Sequence, residues 1–147
     1  MTIFSIMKRG ACALAALLCV PAHAGQDNYN MSAVCDYILA RYAEAADLAA
    51  DRAEQAKSTA KLEEIELFRL EHNGTTVEYF VRDGRQHVMS VQQRLMTGES
   101  KRALLQRLGV KPARVGGHFE AGCDMSTLTL DFKQGRLVEM QASSQLD

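Results

Sequence analysis

The sequence predicts an α+β protein in which a long N-terminal helix packs on an antiparallel sheet, with element order α-β-β-β-α-β-β and one disulfide. Three observations support this fold class. Residues 31–61 contain no Gly or Pro and are rich in the helix formers Ala, Glu and Arg. Hairpin signals at 73–74 and 83–84 separate runs of β-forming residues. Cys35 and Cys123 are the two cysteines that remain once a predicted export signal is removed.

The first segment, residues 1–24, matches a secretory signal peptide. A charged start and a short apolar run at 11–20 precede the small-x-small cleavage site at 22–24. The apolar run is too short to span a bilayer as a helix, so we expect cleavage before Gly25 and no transmembrane anchor. The mature chain is then a single periplasmic or secreted domain, residues 25–147.

The predicted compartment decides the state of the cysteines. Cys12 and Cys19 leave with the signal, and an exported protein with two remaining cysteines is expected to join them. A Cys35–Cys123 bond closes a long loop, which stabilises the fold by about 4–5 kcal/mol in the chain-entropy model.

The long helix is predicted over residues 31–61. It carries an apolar stripe that thins to alanine after Leu48, so we expect it to lie across a sheet with its C-terminal half overhanging. A groove for a partner helix, or pairing with a second copy of the chain, are the alternatives. The stripe consists of Val34, Ile38, Ala45, Leu48, Ala49, Ala53 and Ala56.

A three-stranded meander is predicted over 65–72, 75–82 and 85–93. Its two-residue turns place Phe68 opposite Tyr79 and Tyr79 opposite Val88, with Leu70 and Val77 beside them. Both faces of this meander are partly apolar, although the long helix can cover only one. Either the second helix or a partner is therefore expected on the other face, which holds Leu67, Phe80, His87, Met89 and Val91.

A second helix is predicted from about 99 to 108, with Thr97 as N-cap and Gly109 at its C-terminal end. Ala103, Leu104 and Leu108 form its apolar stripe. Residues 111–124 show no clear period, and their glycines indicate a loop or a short edge strand.

The last hairpin is predicted over 126–132 and 136–142. We favour a three-residue loop over a two-residue turn at Gln134-Gly135, because it sets Leu130 opposite Val138 and Leu128 opposite Met140.

Residues that could carry chemistry are few, since the sequence has none of the common hydrolase, zinc-protease, redox or phosphate-loop motifs. His118, Glu120, Cys123 and Asp124 form one ligand-like stretch, but a disulfide would remove the thiolate. We therefore predict a protein that is not an enzyme and has no metal or cofactor. Asn73-Gly74-Thr75 matches a glycosylation motif and is better explained as the hairpin turn.

Charge is distributed unevenly along the predicted mature chain. The segment 25–66 has nine acidic and four basic residues. The segment 67–117 has four acidic and nine basic residues, and 118–147 has five acidic and two basic residues. The small net charge excludes electrostatic steering to nucleic acid. The basic middle suits an anionic partner surface, and Lys101, Arg102 and Arg107 on the second helix would contribute to it.

Part of the chain resembles a known family. Thr97-Gly98-Glu99-Ser100, Ala103-Leu104-Leu105, Leu108-Gly109, Pro112, a following cysteine and Leu128-Thr129-Leu130-Asp131-Phe132 with Gly135-Arg136-Leu137 are similar to the helix-plus-hairpin unit of the SmpA/OmlA outer-membrane-assembly lipoproteins. The secreted β-lactamase inhibitor protein has a similar module. This resemblance implies a non-enzymatic envelope protein that works by binding another protein.

The expected function is a non-catalytic protein-binding module of inhibitor or immunity type, whose partner is another envelope or exported protein. Its expected contact residues are Leu67, Phe80, His87 and Met89. An envelope assembly or structural accessory that uses the long helix or the basic helix is the alternative. A small hydrolase or metal-dependent enzyme built on His118 or Glu120 is the third hypothesis.

Overall fold

The computed structural model describes residues 28–96 and 98–145. No helix in those two ranges is both long enough and apolar enough to cross a membrane. Short 3-10 turns lie at Ala53–Gln55 and Pro112–Arg114. The helices and strands, in chain order, are α1 (Met31–Asp51), β1 (Lys57–Leu62), β2 (Ile65–His72), β3 (Thr75–Arg82), β4 (Arg85–Arg94), α2 (Lys101–Arg107), β5 (His118–Cys123), β6 (Ser126–Lys133) and β7 (Arg136–Ser144).

All seven strands form one antiparallel sheet in the order β1-β2-β3-β4-β7-β6-β5. Helix α1 packs across β4, β5 and β6. Helix α2 lies beside it, where the Leu108 carbonyl at its end accepts a hydrogen bond from the Asn30 N–H at the start of α1. Val34, Ile38, Leu104 and Leu105 of the two helices share one core with the sheet. Both helices therefore cover the same face.

The end of the first helix corrects the sequence prediction. α1 stops at Asp51, so Ala53 and Ala56 lie outside it, and residues 57–62 form strand β1, whereas the helix was expected to continue to residue 61. Local propensity favours helix here, but the segment pairs along β2, from Lys57 opposite Arg69 to Leu62 opposite Ile65. Pairing satisfies the backbone of β2, which would otherwise be an unprotected edge. The observed order is α-β-β-β-β-α-β-β-β.

The predicted meander is confirmed, with one local difference. Phe68 lies opposite Tyr79, and Tyr79 opposite Val88. Positive φ angles at the Asn-Gly and Asp-Gly turns allow two-residue loops. A β-bulge beside Tyr79 then shifts the register, so that Val91 pairs with Val77 and is buried in the core. The placement of Val91 on the outer face was wrong for that reason.

Helix α2 is shorter than predicted. Its N-cap is Ser100, whose hydroxyl accepts from the Ala103 N–H, while Thr97 lies outside the described residues. Leu104 and Leu105 are fully buried and Ala103 is exposed, which corrects the predicted stripe. The helix ends as expected, followed by a glycine at φ 75°. The segment after it contains strand β5, which was one of the two possibilities left open.

The register of the last hairpin also differs from the prediction. Gln134 and Gly135 form a two-residue turn with positive φ, which places Phe132 opposite Leu137. A bulge at Val138 then brings Leu130 opposite Met140 rather than Val138. The bulge lets both Leu137 and Met140 reach the core, which buries more apolar surface than either regular register.

The predicted disulfide is present between Cys35 and Cys123, whose Cα atoms lie 5.3 Å apart. It joins the second turn of α1 to the end of β5. Tyr29 reinforces this connection, because its hydroxyl donates to the Gly122 carbonyl and accepts from the Gly122 N–H, both at 3.1 Å. The N-terminal helix is thus attached to the edge of the sheet at two adjacent points.

Candidate protein-binding surface

The face of the sheet opposite the helices, here called the open face, is not covered by any described residue. The buried hydrophobic side chains on the strands belong to the helix-covered face. Most of the open face is polar, including Arg69 of β2, which lies 3.0 Å from Glu71 and 3.7 Å from Glu78 between the charged atoms. Further along, Gln92 contacts Glu139. The open face is therefore mainly a solvated surface.

One corner of the open face is apolar. Cross-strand pairs join Leu62 to Ile65, Ala60 to Leu67 and Leu67 to Phe80, so their side chains adjoin on one face across β1, β2 and β3. We call these five residues the apolar corner. Leu62 is 59% exposed and the other four are half-buried. A contiguous apolar patch on a sheet that is otherwise polar is typical of an interaction surface.

Aromatic and cationic groups extend the apolar corner toward β4. The His87 ring stacks on Phe80 with a centroid distance of 5.0 Å and an interplanar angle of 11°. The Arg82 guanidinium carbon lies 5.5 Å from the centroid of the same ring. Phe80 is thus the centre of the patch, and its position is fixed by contacts with its neighbours.

The structure brings together three of the four residues predicted as apolar contacts. Leu67, Phe80 and His87 form one row across adjacent strands, while half-buried Met89 lies within the bulge of β4. Sequence reasoning missed Ala60, because it assigned that residue to the helix, and Leu62, because it started the first strand at residue 65. Their spacing of two, just before a β-rich run, was the available signal.

The predicted basic contacts lie on the other side of the molecule. Lys101 donates to the Val115 carbonyl and stands 5.9 Å from the Phe132 ring. Arg107 pairs with Glu99 at 3.0 Å. Arg102 is exposed to solvent. Because Lys101, Arg102 and Arg107 belong to the helical layer, the sheet separates them from the apolar corner, and the two sets form different surfaces.

The ligand-like stretch of β5 does not converge on one point. Cys123 is in the disulfide, with Asp124 in the turn beside it, and among the described residues Cys35, Cys123 and Asp124 are the one close group of metal-ligating types. The disulfide leaves no thiolate there. His118 and Glu120 instead point to the open face, with 3.9 Å between Nε2 and Oε2.

Asp131, which sequence reasoning missed, is the main partner of His118. Its carboxylate lies 2.7 Å from Nδ1 and raises the pKa of the imidazole above its usual value. The other two histidines within the described ranges contact Phe80, in the case of His87, and the Asn73 amide, in the case of His72. None of these contacts joins a histidine to a hydroxyl or thiol nucleophile, as base-activated catalysis would need.

Comparison of the chain with protein-family models, with curated proteins and with solved structures found no match.

Proposed function

We propose that this chain is a small exported, non-enzymatic protein that binds another exported protein through the apolar corner, as inhibitors and immunity proteins do. One observation carries the proposal: a contiguous apolar patch centred on Phe80 lies on an otherwise polar sheet face that no described residue covers. The export signal predicted at residues 1–24 supports a partner outside the cytoplasm. The resemblance to SmpA/OmlA proteins implies the same class of function.

The composition of the surface supports protein recognition rather than small-molecule binding. Interfaces concentrate their energy in a few aromatic and arginine side chains at the centre of an apolar patch. Phe80 with the adjacent Arg82 fits that description. Acidic residues follow in the surrounding turns, at Glu63, Glu64 and Asp83, and would form a polar rim.

The rigidity of the platform favours tight binding. Two-residue turns fix the register of the strands that carry the patch, and the stacked His87 ring holds Phe80 in place. Side chains that are already ordered lose less entropy when a partner binds. The basic helix has less support as a contact, because Lys101 already donates to the Val115 carbonyl and Arg107 already pairs with Glu99 at the surface.

Affinity capture with tagged protein from a native envelope extract tests this proposal. The decisive variant is Phe80→Glu, which places a charge at the centre of the apolar corner. The matched control is Gln141→Glu, an exposed position on β7 of the same face. We expect one stoichiometric partner that is captured by the unchanged protein and by Gln141→Glu, and lost with Phe80→Glu.

Circular dichroism and thermal unfolding of both variants distinguish a binding residue from a core residue. The proposal requires Phe80→Glu to remain folded, with a melting temperature near that of Gln141→Glu. A large loss of stability in Phe80→Glu would show that Phe80 belongs to the core. If the folded variant still binds the partner, the binding surface lies elsewhere.

A further inference from the structure

Strand β5 is an edge of the sheet, and one hydrogen-bond pair shows which of its backbone groups face outward. The Tyr29 hydroxyl bonds to both the N–H and the carbonyl of Gly122. In an antiparallel pair, alternate residues direct both backbone groups toward the neighbouring strand or away from it. The backbone groups of Glu120 and His118 therefore also point away from β6.

Those outward groups have no partner within 28–96 and 98–145, apart from the Tyr29 contacts at Gly122. The opposite edge of the sheet differs, because β1 carries a bulge after Ser58 and lysines at 57 and 61. Bulges and lysines are common devices that prevent strands from pairing with other chains. β5 has no lysine or proline.

The outward edge of β5 opens into a groove of about 300 Å³. Its helix-side wall includes Val110, Val115 and the ring of Phe119, with Asn28 also in the lining. Gly116 stands next to the strand, and a Cβ atom there would meet nothing within 4 Å. The groove is thus open at the end away from Tyr29.

Two basic side chains beside this groove have no carboxylate partner within residues 28–96 and 98–145. Arg114 lines the groove and, with Lys111, also lines a neighbouring cavity. Neither has a carboxylate within 4.0 Å among the described side chains. Glu120, which also lines the groove, lies 3.9 Å from His118 instead. A partner that supplies a carboxylate here would complement the charge.

We propose that the edge of β5 accepts one extended segment of a partner protein by strand addition. The segment pairs with the backbone from about residue 116 to Glu120, directs an apolar side chain toward Val110 and Val115, and places a carboxylate near Arg114. Main-chain hydrogen bonds supply the affinity, and the groove selects the side chains. Tyr29 limits how far the segment can pair along β5, because its hydroxyl already bonds to the backbone of Gly122. This surface is separate from the apolar corner, so the inference does not depend on the proposed function.

Selection of random octapeptides displayed on phage against the folded, disulfide-bonded protein tests the inference. Enriched peptides should alternate apolar and acidic residues. Glu120→Pro removes a donor that faces away from β6, so the β5–β6 bonds are kept. Glu120→Ala is the matched control, since it removes the side chain but keeps the N–H. Synthetic enriched peptides should bind the unchanged protein and Glu120→Ala within threefold, and Glu120→Pro at least tenfold more weakly.

Three further measurements do not depend on Glu120→Pro folding. Peptides methylated on the amides that face the protein should lose binding at least tenfold. Arg114→Glu should weaken the binding of acidic peptides by a similar factor. The His118 and Glu120 amides should exchange hydrogen more slowly when peptide is bound. No enrichment, or equal binding of methylated peptides, would overturn the inference. If the protein is a dimer in solution and Glu120→Pro abolishes the dimer, the β5 edge pairs with a second copy of the chain and not with a partner segment, which would also overturn the inference.

Discussion

The two ends of the sheet differ in what covers them. At the β5–β7 end, helices and the Cys35–Cys123 bond cover one face, and Leu128, Leu130 and Met140 are fully buried. At the β1–β3 end, β1 has almost no buried side chain, and apolar residues such as Leu62 stay exposed. The β1–β3 end still adds Leu70, Val77 and Tyr79 to the core on its helix-side face. The difference is that its other face, unlike the core of the β5–β7 end, presents apolar residues that the fold itself does not use.

The largest effect is expected from removing the disulfide at the covered end. The double change Cys35→Ser and Cys123→Ser should lower the free energy of unfolding by about 4 kcal/mol, because the bond closes a loop with a sequence separation of 88. Urea titration measures this loss. A change below about 1 kcal/mol would show that the helices alone hold this end together.

A core truncation at the covered end should follow in size. Leu130→Ala removes a fully buried side chain and should cost about 2–5 kcal/mol. Leu62→Ala, at the uncovered end, should cost less than about 0.5 kcal/mol because its side chain is 59% exposed. The same titration compares them directly. Equal losses would contradict the division between the two ends.

The helix cap provides a smaller test. Ser100→Ala removes the hydroxyl that accepts from the Ala103 N–H and should lower stability by about 1 kcal/mol. Ser100→Asp is the control, since aspartate also caps helices and should preserve stability. If both variants lose stability equally, the cap is not what Ser100 contributes, because the backbone bridge between Ser100 and Arg136 is kept in both.

The smallest expected effect concerns the exposed pair at the β5 edge. Asp131 raises the pKa of His118, so the imidazole should titrate above pH 6.5. Because the pKa of His118 is higher in the folded than in the unfolded protein, the ion pair stabilises the folded state fully below pH 6.5. This stabilisation is lost as the pH rises through the pKa of the folded protein. NMR titration of the His118 ring measures the shift, and Asp131→Asn should remove most of it. An unchanged pKa in that variant would show that the pair does not form in solution.

Much of the candidate site could be predicted because strand register depends on short-range turn chemistry. Asn73-Gly74 and Asp83-Gly84 each allow positive φ at two successive positions, so the pairing of Leu67, Phe80 and His87 followed from the sequence. The contribution of Ala60 and Leu62 could not be predicted in the same way. Their segment has helix-forming residues, and its strand pairing satisfies the edge of β2.

By itself the sequence determined the Asn73-Gly74 and Asp83-Gly84 turns, the cysteine pairing and the apolar face of the first helix up to Ala49. These features depend on neighbouring residues or on the number of cysteines. Only the tertiary structure decided where the first helix ends and where the bulges lie. The pairing of a strand and the bulge at Val138 depend on contacts with other elements of the fold. Local propensity does not include the free energy of those contacts, so it cannot predict either feature.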